Sequence, residues 1–152
     1  MNDIQKRAHL HCFACSRSNP NGMQLEYALS KKGDVIAEFK YGNQYEGFPG
    51  ILHGGVLSAI LDEAMTHCLF AGGYVAVTAD YRVQFRHPVV TDQNATVRAW
   101  ISYSTQPLYI LQAEIVQNGR VKTIATGRFM EQPQLLSEES SRTIKEPTIT
   151  VR

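Results

Sequence analysis

Pro49-Gly50-Ile51-Leu52-His53-Gly54-Gly55-Val56-Leu57-Ser58-Ala59-Ile60-Leu61-Asp62-Glu63-Ala64-Met65-Thr66-His67-Cys68-Leu69-Phe70-Ala71 begins as a glycine-rich loop and turns helical from Val56. Wrapped at about 100° per residue, Ile60, Ala71, Ala64, Leu57, Cys68, Leu61 and Met65 form one unbroken apolar arc. Such an arc lies against a sheet. The remaining side mixes Ala59, Leu69 and Phe70 with Ser58, Asp62, Glu63, Thr66 and His67. The helix is therefore apolar most of the way round and is expected to be buried. That makes its two adjacent carboxylates unusual, because burial penalises the charged form.

Beyond Gly72-Gly73 comes the cleanest strand of the chain. Val75, Val77, Ala79, Tyr81, Val83 and Phe85 alternate with Ala76, Thr78, Asp80, Arg82, Gln84 and Arg86, the period of two that sends successive side chains to opposite faces. On this reading Thr78 shares the polar face with Asp80, Arg82 and Arg86, and Pro88 ends the strand. Alternation also predicts strands through Ala95, Val97, Ala99, Ile101 and Tyr103, through Tyr109, Leu111, Ala113 and Ile115, and through Val121, Thr123, Ala125, Gly127 and Phe129. Asn118-Gly119, between the last two, is the strongest short-range signal for a two-residue hairpin. Before the helix, residues 24–29 form a candidate first strand, and Val35, Ala37 and Phe39 mark a second.

Two strands, one long apolar helix and four strands with short connections argue for an α+β fold, with an antiparallel sheet of five to six strands wrapped around one central helix. Three segments are expected: a loop-rich lead-in over 1–23, the domain over 24–131 and a polar tail over 132–152. At 152 residues the chain has the size of one domain. A net charge of +1 gives no electrostatic case for nucleic acid or a membrane surface as partner. No apolar run approaches the roughly 20 residues of a membrane span, and residues 1–10 carry charges where a signal peptide is apolar. Three cysteines without disulfide-framework spacing suit a reducing compartment, and the expected location is the cytoplasm.

His53-Gly54-Gly55-Val56-Leu57-Ser58-Ala59-Ile60-Leu61-Asp62-Glu63-Ala64 resembles the signature of the PaaI-like branch of the hotdog-fold acyl-CoA thioesterases. The strand ending Phe85-Arg86-His87-Pro88 is similar to that family's next strand, which ends in an aromatic, two residues and a proline. Cys12-Phe13-Ala14-Cys15 with Asn19-Pro20-Asn21-Gly22-Met23 is similar to the lead-in of a subset of the family. The resemblance covers roughly residues 12 to 131. It implies the hotdog fold, hydrolysis of an acyl-CoA to a carboxylic acid and free CoA, and no metal or organic cofactor. It also implies a homodimer or dimer of dimers, in which His53 and Gly54 of one chain face Asp62 of the other. An apolar far side carrying Ala59, Leu69 and Phe70 independently argues for an oligomer.

Gly54 and Gly55 let a ligand approach the backbone, and the N–H groups of a first helical turn stabilise the oxyanion of a tetrahedral intermediate. Asp62, nine residues after His53, stands at the spacing at which this family places its catalytic carboxylate. A desolvated carboxylate there can act as base or nucleophile; its structural alternative is a buried Asp held by hydroxyl or backbone donors. His53 orients the carbonyl or pins the loop. By resemblance Thr78 matches a Ser or Thr that helps hold the attacking water. Glu63 lies about 100° further round the helix with His67 at i+4, which favours a structural ion pair; it is kept among the substrate-binding candidates. By the same resemblance Arg82, Arg86, His87, Arg120 and Lys122 are candidates to meet the phosphates and adenine of CoA.

Some relatives carry a polar residue six positions before the histidine, where this chain has Gly47, so such a role passes to Gln44 or Glu46 or is lost. Cys12 and Cys15, with His9 and His11, supply part of a zinc site, but a second pair is missing and Cys68 falls on the apolar arc. No metal site is assigned on spacing. Two other functions compete: a non-catalytic acyl-CoA-binding or sensing module, and an acyl-thioester dehydratase or hydratase. Gly47-Phe48-Pro49-Gly50 lacks the histidine that the dehydratase loop carries before Phe-Pro. Which acyl group is taken is not legible from one sequence.

Overall fold

The computed structural model describes residues 3–136. Its elements are α1 (Asp3–Ala8), β1 (Ala28–Leu29), β2 (Val35–Phe39), α2 (Gly54–Ala71), β3 (Ala76–Phe85), β4 (Ala95–Thr105), β5 (Leu108–Gln117) and β6 (Arg120–Glu131). All strand pairs are antiparallel, in the order β1-β2-β4-β5-β6-β3. This six-stranded sheet packed on one long helix is the expected α+β hotdog architecture. Ile60, Leu61, Ala64, Met65 and Leu69 of α2 are sealed against Val97, Ala99, Leu111, Ala113, Ile115 and Phe129. Each buried branched side chain contributes about 1.5–3 kcal/mol relative to exposure. No helix among the described residues is long and apolar enough to cross a membrane.

The predicted hairpin between β5 and β6 forms at Asn118 and Gly119, with φ of 53° and 70°, the positive pair that a type I′ turn requires. The first strand is shorter than expected. Its first half is diverted to the lead-in, because the N–H groups of Met23 and Leu25 bond to the carbonyls of Phe13 and Ala14 at 2.8 and 2.9 Å. That lead-in also holds α1 rather than loop alone. Of the expected tail, residues 133–136 form a short 3-10 turn whose Leu136 carbonyl accepts from Arg7 Nη2 at 2.7 Å; residues 137–152 lie outside the described residues.

A second departure concerns the far side of α2. Leu69 and Phe70 are 0% and 4% exposed within a single chain: Leu69 belongs to the core against the sheet, and Phe70 is covered by the lead-in, its ring meeting that of His9 edge to face at 4.8 Å. Their apolar surface therefore makes no demand for a second subunit. An unpaired strand edge takes over that argument, since β3 pairs with β6 on one side and with no strand on the other among the described residues.

Candidate active site

His53 is the N-cap of α2. Its backbone is extended (φ −60°, ψ 136°), and its Nδ1 accepts from the Gly55 N–H at 2.8 Å, which satisfies one orphan donor of the first turn. The ring lies over Gly55 so closely that a Cβ there would stand 3.0 Å from Nδ1. Of the two expected oxyanion donors, Gly55 is thus engaged, and Gly54 keeps an N–H with no partner among the described residues. With Nδ1 accepting, a neutral imidazole carries its proton on Nε2. His53 and Gly54 line an open depression of about 360 Å³ together with Gly47, Phe48, Ile51 and Leu52. Phe48, 80% exposed, gives it an apolar rim.

At Gly47 a Cβ would come within 3.3 Å of His53, so a side chain there would press on the cap. Glu46 is occupied as a loop tie, its Oε2 accepting from the Gly50 N–H at 3.1 Å. Gln44 is exposed.

Asp62 sits half-buried between α2 and β3. Thr78 Oγ1 donates to its Oδ1 at 2.6 Å, while Oδ2 has no hydrogen-bond partner among the described residues. Burial pushes the Asp62 carboxyl above its ordinary value; the Thr78 hydrogen bond opposes this and the neighbouring Glu63 charge adds to it. Thr78 does not face the way simple alternation predicts. The pairing with β6 skips Ala79, with Thr78 opposite Phe129 and Asp80 opposite Arg128, so Ala79 is the extra residue of a β-bulge. Ala76 and Thr78 point toward α2 before it, Tyr81 and Val83 after it, and Asp80, Arg82 and Gln84 point away. Tyr81, which the sequence pattern does not single out, places its hydroxyl on the Ser58 carbonyl at 2.7 Å, one helical turn before Asp62.

Glu63 faces the lead-in. It is 6% exposed, and its Oε1 meets His9 Nδ1 at 2.9 Å and His67 Nε2 at 3.1 Å. Burial alone would raise its carboxyl, but the hydrogen bonds from His67 and His9 outweigh it and hold the group well below the usual carboxylate range. The expected i,i+4 partner is thus present, and Glu63 meets the lead-in rather than the Asp62–Thr78 pair. Cys12 and Cys15 close on the same spot: the donor atoms of His9, Cys12, Cys15 and Glu63 all lie within 4.8 Å of one another. Spacing alone left this set incomplete, because Glu63 enters it from 48 residues beyond Cys15.

Arg86, His87, Arg120 and Lys122 gather where β3 ends beside the start of β6, the N–H groups of Arg86 and His87 both bonding to the Lys122 carbonyl at 2.9 and 3.0 Å. Desolvation, and then the charges of Arg120, Lys122 and Arg86, lower the pKa of His87. None of the four forms an ion pair among the described residues. Phe85, adjacent in the chain, would stand 3.5 Å from a Cβ on Gly54, so the basic patch borders the mouth of the His53 depression. Arg82 is apart from this group, exposed on the outward face of β3.

A helix wrapped by a sheet, a glycine-rich N-terminus and a half-buried carboxylate define a class, and the chain belongs to the Thioesterase superfamily, whose profile matches residues 49–124. Bovine acyl-coenzyme A thioesterase THEM4 is 34% identical over 77 residues, which is 49% of this chain and 31% of the relative; the chain spans about a third of that protein's length. Among solved structures, a thioesterase superfamily protein matches with a TM-score of 0.75 at 21% identity, over 79% of this chain and 63% of its own. The Streptococcus mutans protein smu.793 bound to acetyl CoA matches at 0.67 and 14%, over 71% and 88%, and the PaaI protein of Escherichia coli at 0.66 and 17%, over 71% and 79%. The PaaI-like fold expected from the sequence is thereby found.

Proposed function

We propose that this protein hydrolyses an acyl-CoA thioester to a carboxylic acid and free CoA, in the cytoplasm, as a homodimer or dimer of dimers with a site built from two subunits. The observation that carries the reading is Asp62: one carboxylate oxygen fixed by Thr78, the other unengaged, and an affinity for protons raised by burial. Asp62 Oδ2 takes a proton from water as the water oxygen attacks the thioester carbonyl. The oxyanion that forms is met by the Gly54 N–H and the His53 Nε2–H. Collapse breaks the C–S bond, and the proton passes from Asp62 to the departing CoA sulfur.

His53 and Asp62 are nine residues apart along α2, about 13 Å at 1.5 Å per residue, so one chain does not bring them to the same carbonyl. A second copy paired at the open edge of β3 supplies the missing half, and it covers an edge that would otherwise be a liability. The patch of Arg86, His87, Arg120 and Lys122 then receives the phosphates of CoA. Release of free thiol from a panel of acyl-CoA substrates, short aliphatic to phenylacetyl, tests the reaction. Binding without turnover would make the protein a sensing module instead. Sedimentation tests the assembly, and a monodisperse monomer with full activity would remove the shared site.

A further inference from the structure

Outside the proposed catalytic pair, one cluster joins two thiols, an imidazole and a carboxylate. We infer that His9, Cys12, Cys15 and Glu63 form a four-ligand site for a structural zinc ion, which staples the lead-in to the central helix. Zinc bonds of about 2.3 Å to sulfur and 2.0–2.2 Å to nitrogen and oxygen place tetrahedral neighbours roughly 3.2–3.8 Å apart. His9 Nδ1 stands 3.5 Å from Cys15 Sγ and 2.9 Å from Glu63 Oε1, and the widest separation in the set is within 4.8 Å. Seating a cation therefore asks only for small side-chain adjustments. Two thiolates with imidazole and carboxylate suit zinc over magnesium or calcium, which take all-oxygen shells.

The surroundings are built for such a set. His67 Nε2 holds the carboxylate of Glu63 from outside the four ligands, as partners of metal-bound carboxylates do, and its own ring is stacked on Tyr27 at 4.3 Å. The Ala14 N–H points at Cys12 Sγ at 3.4 Å, a donor for a thiolate. Behind the Cys12–Cys15 turn, the Asn19-Pro20-Asn21-Gly22 turn acts as a buttress: a Cβ on Gly22 would stand 2.5 Å from the Phe13 carbonyl oxygen, so only glycine allows that approach. Cys15 and Glu63 are buried, and all three cysteines are unpaired, leaving both thiols available to the ion.

The full-length chain, purified reduced and without chelators, tests this by elemental analysis and by cobalt replacement. About one zinc per chain is expected, lost on treatment with a thiol-blocking mercurial. Cobalt(II) in its place should give the visible bands of a four-coordinate ion and a near-ultraviolet thiolate-to-cobalt band. Cys12→Ser combined with Cys15→Ser should abolish both, and Glu63→Gln should weaken metal retention at least tenfold. Less than about a tenth of a zinc per chain, with no sulfur-to-cobalt band in folded wild type, would overturn the site, as would full retention in the double cysteine variant or recovery of a Cys12–Cys15 disulfide in its place. The cobalt spectrum of wild type decides the matter even where a variant fails to fold. Because metal content is read without substrate, its outcome is independent of thioester hydrolysis.

Discussion

Asp62 and Glu63 are neighbours in the chain and strangers in the fold. Asp62 looks toward β3 and meets one hydroxyl; Glu63 looks toward the lead-in and meets two imidazoles. Both are desolvated, yet burial wins at Asp62 and raises its carboxyl, whereas hydrogen bonding wins at Glu63 and lowers it. One step of about 100° around a helix thus separates a group poised to accept a proton from one fixed as a charge. The number and type of donors, more than depth, sort the two.

The contrast is easiest to break at Asp62. Asp62→Asn keeps the shape and removes the base, so kcat should fall about 10²-fold or more with KM changed far less. The acid limb of the wild-type kcat profile, displaced upward from an ordinary Asp by burial, should vanish with it. A folded, oligomeric Asp62→Asn protein working within a few-fold of wild type would end the assignment. At Glu63 the loss should be in stability instead. Removing one member of a buried charged cluster costs about 3 kcal/mol, so Glu63→Gln should shift denaturant unfolding by that order while kcat stays within a few-fold. If Glu63→Gln were the inactive variant, the roles would be reversed.

Smaller effects sharpen the picture. Thr78→Ala frees the Asp62 side chain and should lower kcat roughly tenfold, with Thr78→Ser restoring most of it in the same assay. Arg86→Ala with Lys122→Ala should raise KM for acyl-CoA about threefold to tenfold at low salt and much less at high salt, since exposed charges are screened. A pantetheine thioester lacking the nucleotide should not notice the change.

What was legible follows from range. The arc of α2 from Leu57 to Cys68 and the Asn118-Gly119 hairpin are local patterns, and both stand where the sequence places them, with Ala71 exposed at the end of the arc. The short β1 was not readable, because residues 23–25 are claimed by partners near position 13. Nor was the cover over Phe70, which arrives from His9. At the candidate site, alternation left the face of Thr78 wrong, since it assumes an uninterrupted ladder. The cysteine pair is incomplete by spacing for a related reason: the fourth donor, Glu63, is remote in sequence and is also the i,i+4 partner of His67.

Ala79 makes position along β3 a matter of parity. Asp80 to Phe85 are anchored by pairing with β6, so deleting Ala79 would slide the preceding residues by one and present Val77, in place of Thr78, to Asp62. Replacing Ala79 by another small residue would leave that arrangement alone. The geometry here constrains how many residues the strand contains more than which one sits at the bulge. A comparison that scores identities column by column would pass over the position, although a change of length there would disconnect the hydroxyl from the carboxylate without altering either.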